Sequence, residues 1–231
     1  MKRLGLLGGM SWESSIQYER WINEGVRDVV GGTASADLVI RSFNFADIEA
    51  LQGADDWTGA AAVLAGAARD LQASGAEGIV LCTNTMHRVF DEIQAGVTVP
   101  VLHIADATAT AAVRAGVERV ALLGTRYTME QDFIAGRLRA YGLQVLVPRE
   151  PDRATVHRVI YEELVRGVVT ERSRAEYLEV IQRLEDAGAQ GVIAGCTEIE
   201  LLVGPADVSV PYFPTAYLHA RAAVEFALGP R

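Results

Sequence analysis

The chain repeats itself, and that constrains its fold more than any other feature. GAEGIVLCTNT over 75–85 and GAQGVIAGCTE over 188–198 align without a gap at an offset of 113 residues, with Leu71 and Leu184 upstream in the same register. RLGLLGGM from Arg3 and RVALLGTR from Arg119 pair at an offset of 116, and Val99-Pro100 and Val210-Pro211 at 111. Three matches in one order at slowly drifting spacing mark a duplicated supersecondary unit. The repeated apolar runs read as strands buried on both faces. Amphipathic stretches over 58–74, 106–115, 129–141 and 172–187 lie between them as helices, several closed by glycine.

Strands alternating with helices predict an α/β fold of two similar lobes, each a parallel sheet flanked by helices. A pseudo-twofold relation would put the active site in the cleft between the lobes, since open α/β sheets bind ligands at their strand carboxyl ends. The lobe boundary is expected near Ala105. The segment from Val210 to Pro214 could finish the second lobe or cross back. Favouring the crossing assigns 1–105 with 212–231 to the first lobe and 106–211 to the second.

The repeat also selects the candidate chemistry. Thr83 stands opposite Cys196, Asn84 opposite Thr197 and Thr85 opposite Glu198, each set where a strand ends and a helix could begin. Free N–H groups at such starts, together with the side chains of Asn84, Thr85, Thr197 and Glu198, suit a small carboxylic acid. A thiol at a helix N-terminus is also expected to have a lowered pKa, making Cys196 a candidate base. Cys82 cannot share the direction of Thr83 in a strand of period two, and is assigned to packing. His87, one turn beyond Thr83, could orient it but stays outside the catalytic set. GLLGGM over 5–10 lacks the GxGxxG spacing of a dinucleotide loop and reads instead as a tight turn bringing Met10 close to a ligand.

Composition excludes several partners. A formal charge of −9 with one lysine, Lys2, opposes binding to nucleic acid or an anionic membrane. The apolar runs fall well short of the ~20 residues of a membrane span, and no signal-length stretch precedes Glu13. Two distant cysteines without CxxC spacing support neither a disulfide framework nor a metal site, so a reduced cytoplasm is expected.

GLLGGMSWES, VLCTNTMH, LLGTRYTMEQDF and AGCTEIELL together resemble the aspartate/glutamate racemase family along the whole chain. The resemblance implies a cofactor-independent amino-acid racemase, without pyridoxal phosphate or metal, frequently a homodimer. Its substrate would be a small amino acid such as L-aspartate or L-glutamate, and two groups would exchange the Cα proton on opposite faces. It also places Gln52 among the ligand contacts. Most members use two cysteines, and here Thr83 stands where the first would be. The implied pair is then Cys196 for the L enantiomer, with Thr83 or water beside it on the other face. The basic residue that some aspartate racemases aim at the distal carboxylate has no evident match; Arg41 and Arg166 are nearby. A neutral polar substrate such as homoserine, the decarboxylase and isomerase chemistries of the same superfamily, a weakly active enzyme and a non-catalytic small-ligand sensor are the competing readings.

Overall fold

The computed structural model describes residues 1–229, so Pro230 and Arg231, the end of the expected first-lobe segment, lie outside the described residues. The chain divides into two compact units, one formed by Met1–His103 with the chain from His219 on, the other by Ile104–Leu218.

The first unit runs β1 (Leu4–Gly8), α1 (Trp12–Val30), β2 (Leu38–Ser42), α2 (Phe45–Gly53), α3 (Trp57–Ala73), β3 (Gly78–Leu81), α4 (Phe90–Ala95) and β4 (Val101–Leu102). Its four parallel strands lie in the order β2-β1-β3-β4. The second unit runs α5 (Ile104–Arg114), β5 (Arg119–Gly124), α6 (Arg126–Glu130), α7 (Asp132–Ala140), β6 (Gln144–Leu146), α8 (Asp152–Glu162), α9 (Glu171–Asp186), β7 (Gly191–Gly195) and β8 (Tyr212–Pro214). Its order β6-β5-β7-β8, again all parallel, matches the first strand for strand. The last helix, α10 (Thr215–Leu228), begins in the second unit and ends in the first. The fold is thus α/β, with two four-stranded parallel sheets flanked by helices.

The duplication persists in local detail. After α3 the chain turns at Gly75 (φ 89°), and after α9 at Gly188 (φ 95°), a left-handed conformation that suits glycine. The Ala76 N–H then reaches the carbonyl of Leu71 and the Ala189 N–H that of Leu184, closing both helices alike. Leu71 and Leu184 are the residues that keep the sequence register. Arg3 and Arg119 lie against the two glycines, so a Cβ there would sit 2.8 Å and 3.0 Å from their Nη1 atoms.

The inner strands β1, β3, β5 and β7 are buried on both faces, which is why they read as continuous apolar runs rather than alternating ones. In the second unit the period of two still sorts them. Val120, Leu122 and Ile193 join one core with α5 and α7, while Ala121, Leu123, Val192 and Ala194 join the other with α8 and α9.

Two expectations shift. β8 pairs with β7 and completes the second sheet, so the return to the first unit falls inside α10, at 218/219 rather than 211/212. The helix expected over 129–141 is two helices, broken at Gln131, whose backbone is extended at φ −102°, ψ 157°. The break places the carboxylate of Asp132 in the first turn of α7, where the helix dipole favours it.

Candidate active site

The candidate residues of the two units are built alike, each set on the carboxyl end of a central strand. In the first unit β3 is followed by Cys82 and Thr83. The Cys82 N–H donates to the Leu7 carbonyl on β1 at 2.9 Å, and the Thr83 N–H turns back to Leu81 at 2.9 Å. Cys82 is buried with its thiol 3.6 Å from the Val80 carbonyl, and burial pushes that thiol far above its ordinary pKa, as befits a packing residue. Thr83, Asn84 and Thr85 lead into a 3-10 turn, Thr85–Val89, and all three are buried.

Met10 and Gln52 are also buried in this unit. Gln52, on α2, donates its amide to Met86 Sδ at 3.0 Å, which ties it to the turn behind Thr83. Met10 follows β1, which pairs with β3 in parallel at Leu7↔Leu81, so Met10 and Thr83 leave the sheet at the same end. The glycines before Met10 serve close packing. Gly9 has φ 85°, its N–H donates to Ser15 Oγ at 2.7 Å, and a Cβ there would lie 2.3 Å from the backbone N and O of Phe43.

In the second unit β7 ends at Gly195. Cys196 is extended (φ −144°, ψ 133°) and opens a 3-10 turn, Thr197–Leu201. The Cys196 thiol donates to Glu198 Oε2 at 2.9 Å, and the Thr197 hydroxyl donates to the same oxygen at 2.8 Å. All three side chains are buried. The sequence therefore brings Cys196, Thr197 and Glu198 into one hydrogen-bonded group, with the carboxylate as its common acceptor.

That geometry reverses the expectation of a low thiol pKa. Burial first, and then the negative charge of Glu198, hold the Cys196 thiol well above its ordinary value. The backbone N–H of Glu198 pulls the other way and is outweighed. The element after Cys196 is a five-residue 3-10 turn rather than an α-helix, so little aligned dipole stands behind the sulfur.

Two further residues belong to this half and did not stand out in the sequence. Tyr177, from α9, is fully buried, donates its hydroxyl to Val156 at 2.8 Å, and has its pKa raised by burial and then by Cys196. Glu200 accepts the Ala216 N–H at 3.2 Å, which anchors the Cys196 turn to the start of α10. Burial lifts the Glu200 carboxyl to about 8 against the pull of the Ala216 and Tyr217 amides, with Glu198 adding to the rise. Two residues past the gap-free repeat, at the same offset of 113, Glu200 stands opposite His87, and that pairing was the available signal.

Two parallel sheets of equal order, each ending in a buried polar turn, define a duplicated α/β protein with acid–base groups at its strand ends. The Asp/Glu/hydantoin racemase family profile matches residues 7–223, and the chain belongs to that family. A candidate Asp/Glu racemase from Yersinia pestis is 52% identical, with a TM-score of 0.93 over 99% of this chain and 100% of that one. An aspartate racemase homologue from Pyrococcus horikoshii is 36% identical, with a TM-score of 0.86 over 99% and 100% of the two chains. Aspartate racemase from Picrophilus torridus shares the fold at 19% identity, with a TM-score of 0.78 over 100% and 96%. Fold and family together support an amino-acid racemase. Among the described residues no helix is long and apolar enough to cross a membrane.

Proposed function

We propose that the chain racemises a small amino acid of the aspartate/glutamate class without a cofactor, through Cys196 on one face of Cα and Thr83, or water beside it, on the other. The observation that carries this reading is the buried Cys196–Glu198 pair at 2.9 Å. A thiol hydrogen-bonded to a carboxylate can pass its proton to that carboxylate and take another from carbon. A ligand sensor has no need of such a pair.

The raised pKa makes the protonated thiol the resting form, so Cys196 stands ready to donate to the planar intermediate. To act as a base it must first transfer its proton to Glu198, which gives a thiolate and a carboxylic acid. The α-ammonium of a bound amino acid favours that thiolate by direct Coulomb attraction. The L substrate then gives its Cα proton to sulfur. Donors from Asn84, Thr85 and Thr197 stabilise the charge that spreads onto the substrate carboxylate. A proton from the Thr83 side completes inversion. A threonine alkoxide is far harder to form than a thiolate, so proton removal from the D enantiomer is the more difficult chemistry. The kcat/KM values in the two directions must nevertheless match, because enantiomers have equal free energy.

Among the candidate cations, Arg41 lies over the Phe43 ring at 4.9 Å. Aspartate and glutamate remain the first substrates to test, with homoserine as the neutral alternative. A homodimer in the cytoplasm completes the proposal, on the family resemblance and two unpaired cysteines.

Purified protein incubated with L-aspartate, L-glutamate and L-homoserine in D2O, without added cofactor, tests the reading. Loss of the Cα–H signal that vanishes in Cys196→Ser is the expected outcome. Folded protein that exchanges none of the three would overturn it.

A further inference from the structure

Three of the four histidines in the chain gather beside Thr83. His87, His103 and His219 are all buried. His87 stacks nearly parallel to Phe90, with ring centres 6.1 Å apart and planes 7° apart, and meets His103 at 4.5 Å. His103 in turn packs on Phe90 at 4.5 Å. His219 bonds the Leu102 carbonyl through Nε2 and Tyr18 Oη through Nδ1, both at 3.1 Å. A carbonyl can only accept, so Nε2 of His219 carries its hydrogen and, in the neutral ring, Tyr18 donates to Nδ1. Among the described residues no group of three or more His, Cys, Asp or Glu side chains could hold a metal ion.

One bond leads from this cluster to the reacting residue. His87 Nδ1 lies 2.7 Å from the main-chain oxygen of Thr83, and by the same rule it is the donor. Thr83 has left β3, and its carbonyl is buried at a strand exit where no ladder partner follows. The N–H of the same residue is already committed to Leu81. With the imidazole in place, both backbone polar groups of Thr83 are held.

Resting on the racemase reading above, we propose that His87 is the positioning residue of the first half-site, fixing the backbone that aims the Thr83 side chain at Cα. The duplication supplies an independent observation. Glu200 occupies the equivalent place after Cys196, and it too is a polar side chain that ties its turn to the junction between the sheet's last strand and the next helix, through the Ala216 N–H. His87 reaches the corresponding junction of the first unit, where His103 stands between β4 and α5. Each turn is thus tied toward the junction after its sheet's last strand, but only His87 bonds the reacting residue itself. His87 meets a neutral threonine through a donor, and Glu200 meets a helix start through an acceptor.

The test compares His87→Leu, which has no donor, with His87→Asn, whose amide nitrogen can take the place of Nδ1. In D2O each is given L-aspartate, and Cα deuteration is counted separately as L product and D product. Native protein and His87→Asn should convert a similar share of exchange events into inversion. In His87→Leu that share should fall about tenfold or more, the scale expected when a reacting group is misplaced by a fraction of an ångström, while exchange on the Cys196 face continues. A His87→Leu protein that is folded and inverts as often per exchange as native protein would overturn the proposal.

A second measurement does not depend on turnover. The labelled Thr83 methyl should report one χ1 rotamer by NMR couplings in native protein and His87→Asn, and an average in His87→Leu. Averaging already present in native protein would also overturn the assignment. Absence of exchange in native protein would instead sink the racemase reading and leave the methyl result to decide the role of His87.

Discussion

Glu200→Gln should remove a pH dependence of stability that originates inside the candidate site. The carboxyl rises from its ordinary 4.5 to about 8 in the folded protein, mainly because it is buried. Between those values the folded chain holds a proton that the unfolded chain has released. The stability contribution is therefore full below pH 4.5 and is lost as pH rises through about 8. A gap of about 3.5 pH units at about 1.4 kcal/mol each sets a ceiling of about 5 kcal/mol. Glu200 keeps part of its exposure, so water screens the charge and about 2 kcal/mol is the working figure. Glutamine can still accept the Ala216 N–H but cannot ionise. Urea denaturation of both proteins at pH 5, 7 and 9 checks this: relative to native, Glu200→Gln should gain about 2 kcal/mol from the lowest pH to the highest. A difference that stays flat across this range would refute the placement of Glu200 as a buried, proton-holding carboxyl.

Three other substitutions probe the rest of the account. Glu198→Gln removes the charge that helps hold the Cys196 thiol up, so thiolate absorbance near 240 nm should appear at lower pH than in native protein; an unchanged or higher titration point would contradict the pairing. Gly9→Ala forces a side chain into the backbone of Phe43 at a left-handed φ, and should cost about 2–4 kcal/mol in denaturant unfolding; a loss near zero would contradict the close approach. Tyr177→Phe removes the buried hydroxyl's bond to the Val156 carbonyl and should cost about 0.5–1.5 kcal/mol, measured in the same way.

Much of this molecule is legible in its letters because it is written twice. The offset between GAEGIVLCTNT and GAQGVIAGCTE locates β3 and β7, the glycines that close the helices before them and the polar triplets that follow them. Helix 129–141 shows the limit of periodicity, since an amphipathic pattern runs through Gln131 whether or not its backbone is helical. The Cys196 thiol shows another. Whether the turn after it is α or 3-10, and where the Glu198 carboxylate points, depend on packing that no local spacing encodes. Glu200 owes its raised pKa to burial, and its bond runs to Ala216, sixteen residues later and on another element. His87 was readable as one turn beyond Thr83, but its bond to the Thr83 carbonyl and its contact with His103 arise only once β4 lies beside β3.

In the proposed reaction Cys196 and Thr83 serve opposite faces of one Cα. Initial rates of Cα exchange in D2O from L-aspartate and from D-aspartate, measured for native protein, Thr83→Ala and Cys196→Ser, test it most directly. The account predicts that Thr83→Ala still exchanges the L enantiomer, returns it as deuterated L-aspartate and loses exchange from D-aspartate, whereas Cys196→Ser loses exchange from L-aspartate by about a hundredfold or more. Inversion at the native rate in Thr83→Ala, or undiminished L exchange in Cys196→Ser, would contradict it.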